Sequence, residues 1–205
     1  MVKICGITRL EDALLAADAG ADAVGFNFWR PGRRYVSPER AAEIAGALPG
    51  GIRRVGVFVD ESAATVRSIA AQAGLDTLQF HGAETPEYLQ GFSGYAKWKA
   101  FRMTPEWNPE LLEHYVGVEA FLLDAAGATP GGTGRTFDWS LAVAAKTRGK
   151  IVLAGGLTPS NVAAAIRAVQ PWGVDVASGV EDSPGVKNHA LIREFIRAAK
   201  TQEQQ

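Results

Sequence analysis

Ile151 to Gly179 reads IVLAGGLTPSNVAAAIRAVQPWGVDVASG. It opens with an apolar, β-branched run, Ile151–Ala154, that two glycines end. A hydroxyl-proline pair, Thr158-Pro159, follows, suited to capping a helix with proline in its first turn. Val162, Ala165, Ile166 and Val169 then recur at the i, i+3, i+4, i+7 spacing of one helix face. A second apolar run, Val174–Ala177, ends at Ser178-Gly179. The stretch is a strand-helix-strand unit, and two strands joined through a helix lie parallel.

The same alternation extends back through the chain. Val2–Ile4, Ala23–Phe28, Arg54–Val59, Thr77–Phe80, Trp98–Phe101 and Ala120–Leu123 complete a set of eight strand candidates. Helical faces occur at Ala41/Ile44/Ala45/Leu48, Val66/Ile69/Ala70/Ala73 and Ile192/Phe195/Ile196/Ala199. Ser37-Pro38, Thr85-Pro86 and Thr104-Pro105 repeat the helix-start signal, and Gly-x-Asp introduces strands at Gly20, Gly74 and Gly173. Eight units of about 25 residues approach the lower size of a (β/α)8 barrel. The alternative is an open doubly wound sheet. The count of eight and the missing G-x-G-x-x-G fingerprint favour the TIM barrel, with eight parallel strands in a single domain over residues 1–205. The longest irregular stretch, Ala125–Asp138, is too short to divide domains and reads as a functional loop.

Composition narrows the function. Lys plus Arg number 21 against 22 Asp plus Glu, a net charge of -1. No bulk field draws the chain to nucleic acid or an anionic membrane, and no apolar run approaches the roughly 18 residues of a membrane span. One cysteine precludes an intramolecular disulfide framework, and the start of the chain lacks the layout of a signal peptide, so a cytoplasmic chain is expected. His81, His114 and His189 lie far apart and no metal-binding spacing occurs, so no metal is expected. An anionic small molecule would have to be caught locally.

A parallel barrel builds its site at the carboxyl ends of its strands. There the sequence offers Cys5, Asn27, Asp60, His81, Arg102, Asp124, Gly155-Gly156 and Ser178-Gly179. Taken singly, each has a plain structural reading: Cys5 as a small buried hydrophobe, Asp124 as a turn cap, His81 as a hydrogen-bonded wall residue, and Arg33-Arg34 as a solvated pair. The glycines are more telling together, because the loops after strands seven and eight are where barrels commonly hold phosphate on backbone amides. Gly131, Gly132, Thr133 and Gly134 read as a lid over Asp124, a second amide cradle or a linker.

In chain order, Lys3-Ile4-Cys5-Gly6-Ile7-Thr8, Gly20-Ala21-Asp22-Ala23-Val24-Gly25-Phe26, Arg34-Tyr35-Val36-Ser37-Pro38, Gln79-Phe80-His81-Gly82 and Leu123-Asp124 resemble the phosphoribosylanthranilate isomerase family. So do Gly131-Gly132-Thr133-Gly134 with Phe137-Asp138-Trp139, Gly155-Gly156-Leu157 and Asp175-Val176-Ala177-Ser178-Gly179-Val180-Glu181. The resemblance implies a (β/α)8 barrel of tryptophan biosynthesis. It also implies the Amadori rearrangement of N-(5'-phosphoribosyl)anthranilate to 1-(o-carboxyphenylamino)-1-deoxyribulose 5-phosphate, without cofactor. By resemblance Cys5 is the general base, Asp124 the general acid and Arg34 a contact to the anthranilate moiety. Asp175 is a substrate-contacting carboxylate, and the wall residue His81 joins the candidate substrate contacts. Gly155, Gly156, Ser178 and Gly179 belong to the phosphate site. The sequence departs from the pattern at Gly32 and Ala154, where serine is common, and at Ala125, where a polar residue is usual.

The chemistry sets two demands. Asp124 must carry a proton although a free aspartate has a pKa of about 3.9, and Cys5 must lose one although a free thiol has a pKa of about 8.5. Lys3, two residues before Cys5, falls on the same strand face and is expected to favour the thiolate from inside the barrel, unless burial drives the lysine itself toward neutrality. The only expected partner is the phosphosugar substrate. Whether the chain is a monomer or a homodimer stays open, with Trp29 and Trp107 as either a dimer patch or packing against a loop.

Overall fold

The computed structural model describes residues 1–104, 106–125 and 138–201. Eight parallel strands close into a barrel: β1 (Val2–Cys5), β2 (Ala23–Asn27), β3 (Arg53–Phe58), β4 (Thr77–Phe80), β5 (Ala96–Met103), β6 (Ala120–Ala125), β7 (Lys150–Leu153) and β8 (Gly173–Val176). Around them run α1 (Leu10–Asp18), α2 (Pro38–Ala47), α3 (Ala63–Gln72), α4 (Pro86–Gln90), α5 (Trp139–Ala145), α6 (Val162–Val169) and α7 (His189–Lys200). The barrel closes where β1 pairs with β8, Lys3 standing opposite Asp175. An open doubly wound sheet is thereby excluded.

The strands read as unbroken apolar runs because both faces of the sheet are buried. Ala23, Val55, Trp98, Ala100, Ala120, Leu122, Val152 and Ala154 fill the barrel interior. The alternate residues, among them Ile4, Val24, Phe26, Leu78, Phe80 and Leu123, meet the helices, where Ile44, Val66, Ile192 and Phe195 pack on them. Register keeps inward positions level around the barrel, with Gly25 beside Val55, Val55 beside Thr77, and Ala100 beside Leu122. A side chain's parity on its strand therefore decides whether it can reach the barrel axis.

The amino-terminal mouth is plugged. The Trp98 indole N–H donates to Glu119 Oε2 at 3.1 Å, and Arg53 Nη2 donates to Oε1 of the same carboxylate at 3.3 Å. Arg53 also lies over the Trp98 ring, and Trp172 meets that ring edge-on at 5.9 Å. The carboxyl-terminal end opens to solvent around a cleft lined by polar groups.

Helix starts follow their local chemistry. The Ser37 hydroxyl accepts from Arg40 N and the Thr85 hydroxyl from Tyr88 N, each with proline behind it. Two expected starts fail. No α-helix begins at Thr104, and the turn that follows is a 3-10 helix over Pro109–His114, capped by Asn108; Pro105 lies outside the described residues. Near Thr158, α6 waits until Val162, because Asn161 ties down the loop: it accepts from Thr158 N at 2.8 Å and donates to Gly156 O at 2.9 Å. The Gly-x-Asp echo is physical at two of its three sites. Asp22 accepts from the backbone N–H of Val2, and Asp76 from that of Arg54. Asp175 instead serves the barrel interior.

The segment after the last barrel strand was not foreseen. Past β8, a 3-10 turn over Ser178–Val180 leads into a short antiparallel hairpin, β9 (Glu181–Ser183) and β10 (Val186–Lys187). Among the described residues no helix is long and apolar enough to cross a membrane.

Trp98 is fully buried and joins the interior cluster to the plug. Trp98→Ala should cost about 3–5 kcal/mol of unfolding free energy, measured by denaturant titration. A loss below about 1 kcal/mol would mean that the interior is not the close-packed layer described.

Candidate active site

The open mouth holds a cleft lined by Cys5, Asn27, Trp29, Arg34, Gln79, His81, Asp124 and Asp175, together with Gly155, Gly156, Leu157 and Ser178. Strand parity brings them there. Cys5 ends β1, Asp124 is the last inward position of β6, and Gln79 with His81 shares the inward face at the end of β4. Asp60 and Arg102 line a neighbouring groove instead.

Gly25, beside Cys5 on β2, makes room for the Cys5 thiol. A Cβ at Gly25 would lie 2.8 Å from Cys5 Sγ and 3.0 Å from Lys3 Cε. Below Cys5, Lys3 is fully buried and donates to Asp175 Oδ1 at 2.8 Å. Burial opposes the ammonium, but the Asp175 carboxylate and then Cys5 outweigh it and hold Lys3 above its ordinary pKa. The lysine is not driven neutral. At Cys5 burial comes first and pushes the thiol up; Asp175 adds to the rise, and Lys3 and Lys187 work against it. Lys3 thus faces inward and favours the thiolate as expected, yet desolvation and Asp175 win, so the resting group is a thiol.

Across the cleft, Asp124 Oδ2 lies 3.3 Å from His81 Nε2, and His81 Nδ1 lies 3.2 Å from Gln79 Nε2. The His81–Asp124 approach is close without being directed as a hydrogen bond. Among the described residues, His81 Nε2 and Gln79 Oε1 are buried polar atoms with no hydrogen-bond partner. Such atoms are costly unless a ligand or solvent meets them. Gln79 was missed at the sequence level. Its signal was a lone amide at an inward position of the run Thr77-Leu78-Gln79-Phe80.

Arg34 stands on the rim in a loop held by Val36 N donating to Asn27 O and Trp29 N donating to Asn27 Oδ1. Its guanidinium grips Glu181 in a fork, Nε to Oε1 at 2.9 Å and Nη2 to Oε2 at 2.7 Å. Lys187 Nζ donates to Glu181 Oε1 at 2.8 Å from behind. Burial would raise the Glu181 carboxyl, but the bonds from Arg34 and Lys187 hold it below the usual range. Glu181 and Lys187 were not singled out as functional from the sequence.

Gly155 and Gly156 both adopt left-handed backbone after β7, and Ser178 opens onto the cleft after β8. Gly179 does not line it. A Cβ there would lie 1.9 Å from Leu157 O, so Gly179 lets the two loops meet behind the cleft. Gly131, Gly132, Thr133 and Gly134 lie outside the described residues. Trp29 lines the cleft, while Trp107 is buried near Phe101, so Trp107 forms no surface patch.

Residues 2–198 match the family described as N-(5'phosphoribosyl)anthranilate (PRA) isomerase. The chain belongs to the phosphoribosylanthranilate isomerase family. An N-(5'-phosphoribosyl)anthranilate isomerase of Pelobacter propionicus is 53% identical over 200 residues, covering 97% of this chain and 95% of its own. The crystal structure of phosphoribosyl anthranilate isomerase from Thermotoga maritima superposes with a TM-score of 0.92 at 44% identity, covering 98% of both chains. A further solved isomerase, in complex with reduced 1-(o-carboxyphenylamino)-1-deoxyribulose 5-phosphate, superposes at 0.88 with 42% identity and covers 98% of each chain.

In this isomerase fold the space beside Cys5 rests on one missing methyl group. Gly25→Ala should lower kcat at least about 10-fold through displacement of the thiol, with a smaller effect on KM. Steady-state kinetics with wild-type values would show that Cys5 tolerates the crowding.

Proposed function

We propose that the chain rearranges N-(5'-phosphoribosyl)anthranilate to 1-(o-carboxyphenylamino)-1-deoxyribulose 5-phosphate, with Asp124 as general acid and Cys5 as general base. The observation that carries this reading is that Cys5, Asp124 and the paired loops after β7 and β8 open into one cleft. The sugar phosphate would lie against backbone amides around Gly155, Gly156 and Ser178. Arg34 would take the anthranilate carboxylate, and Trp29 and Leu157 offer apolar walls to its ring.

In the first step the Asp124 carboxyl gives its proton to the furanose ring oxygen. The bond from that oxygen to C1' breaks as the anilino nitrogen lone pair forms a protonated Schiff base. The Cys5 thiolate then removes the C2' proton, and the released electron pair forms the C1'–C2' double bond and neutralises the nitrogen. The enolamine becomes a ketone when C1' gains a proton and the 2'-hydroxyl loses one, so acid and base return to their starting forms with no net proton exchange. His81, next to Asp124, and Asp175, below Cys5, would orient the sugar hydroxyls.

An ordinary thiol is only a few per cent ionised at neutral pH, and burial reduces that fraction further here. Because the pKa is raised, the thiolate gains population as pH rises through and beyond the ordinary thiol range. The ascending limb of kcat/KM should therefore lie above about pH 8.5, and a limb well below that value would assign it to another group.

Turnover of freshly generated phosphoribosylanthranilate, followed by loss of its fluorescence, tests the reading directly. Cys5→Ala and Asp124→Asn should each lower kcat by roughly 10² or more while binding of the reduced product analogue persists. Wild-type kcat in Cys5→Ala would remove the thiol from the mechanism. Arg34→Ala should act mainly on KM, and unchanged kinetics in that variant would place the anthranilate carboxylate elsewhere.

A further inference from the structure

Lys187 belongs to the part of the chain whose function the sequence did not disclose. It sits on β10, fully buried at its side chain, and Nζ donates to Glu181 Oε1 at 2.8 Å and to Ala177 O at 3.1 Å. Its own backbone N–H donates to Asp12 Oδ2 at 3.1 Å, and Asp12, itself buried, is 2.9 Å from His189 Nε2. The residue is therefore anchored at both ends, its backbone to α1 and its ammonium to the carboxylate that grips Arg34. Surface hairpins rarely bury a lysine without a partner of this kind.

The groups around Cys5 can be named element by element. Lys3 comes from β1, Arg34 from the loop after β2, Asp175 from β8, and Glu181 and Lys187 from the hairpin; each of the three cations interacts electrostatically with Cys5. Asp124 and His81 stand across the cleft beside one another. Asp175 is taken by Lys3, and Glu181 is shared by Arg34 and Lys187. With Lys187 charged, three cations face two carboxylates while Cys5 is a thiol, and ionisation of the thiol would neutralise the cluster.

We propose that Lys187 is a positioning residue for the isomerisation, holding Arg34 in place through Glu181 and supplying the charge that the hairpin brings to Cys5. The proposal rests on the acid-base reading above, since it concerns how the base and the anthranilate contact are prepared. It also gives the β9-β10 hairpin a function: the hairpin brings a cation up beneath the cleft without exposing it to solvent or to substrate. Burial pulls Lys187 below its ordinary pKa while Glu181 pulls it back, so its charge in the folded protein is what the experiment has to read.

Cys5 is the one cysteine of the chain. The ultraviolet absorbance of its thiolate, taken as the difference between the full-length protein and its Cys5→Ala variant, follows one group through a pH titration. Lys187→Met should move the Cys5 midpoint up by about one pH unit and raise KM as Arg34 loosens; Lys187→Arg should restore both. Rescue by the charge-keeping variant separates this role from a general loss of packing. Should Lys187→Met fail to fold, Lys187→Gln is read in its place, and an unmoved midpoint in that variant overturns the proposal. An unmoved midpoint in folded Lys187→Met overturns it as well. Wild-type turnover measured in parallel keeps the two readings apart: no turnover refutes the proposed reaction, whereas turnover with an unmoved midpoint refutes only the role of Lys187.

Discussion

The Lys3 ammonium lies 2.8 Å from the Asp175 carboxylate at the seam where the first strand meets the last. Removing two charges from water is expensive, and a buried pair of this kind is no assured source of stability. Once both groups are inside, however, neither can be given up alone, because the survivor would be an uncompensated charge in a low-dielectric interior. The pair therefore belongs both to the closure of the barrel, where Lys3 stands opposite Asp175, and to the electrostatics of the cleft. Burial raises the Cys5 thiol, Asp175 adds to the rise and Lys3 restrains it, so the atoms that join the ends of the sheet also act on the Cys5 thiol.

The barrel divides its work between its two ends. At the amino-terminal mouth Arg53, Glu119, Trp98 and Trp172 form a closed plug of ring contacts and hydrogen bonds. At the carboxyl-terminal mouth buried polar atoms of Gln79 and His81 lack protein partners among the described residues. One end satisfies its polar groups and the other keeps some in reserve for a ligand. The site residues depend on the packed layers beneath them for their placement, since parity on a rigid strand aims each side chain.

What could be read from the chain follows from that architecture. Strands buried on both faces appear as short apolar runs, which is why all eight were found within two residues of their observed bounds, Thr77–Phe80 among them without error. Cys5, Asp124 and His81 could be located because they are polar residues at the ends of such runs, whereas Asp175, inside its run, was singled out only through the family resemblance. Glu181 and Lys187 could not be singled out as functional in this way. They sit on a hairpin of three and two residues, too short to carry a periodic pattern, and their meaning arises only when the chain folds back under Arg34. Thr158 misled for a related reason: a capping signal was present, but the Asn161 side chain claimed the local backbone first.

The raised Cys5 thiol has a consequence for survival of the enzyme. Peroxide attacks the thiolate, and the first oxidation product, a sulfenic acid, forms in proportion to that anion. A thiol held protonated is a poorer target than a thiolate, and with no second cysteine in the chain an oxidised Cys5 would have no intramolecular resolving partner. The burial that disfavours ionisation of Cys5 would thus also lower its exposure to oxidation.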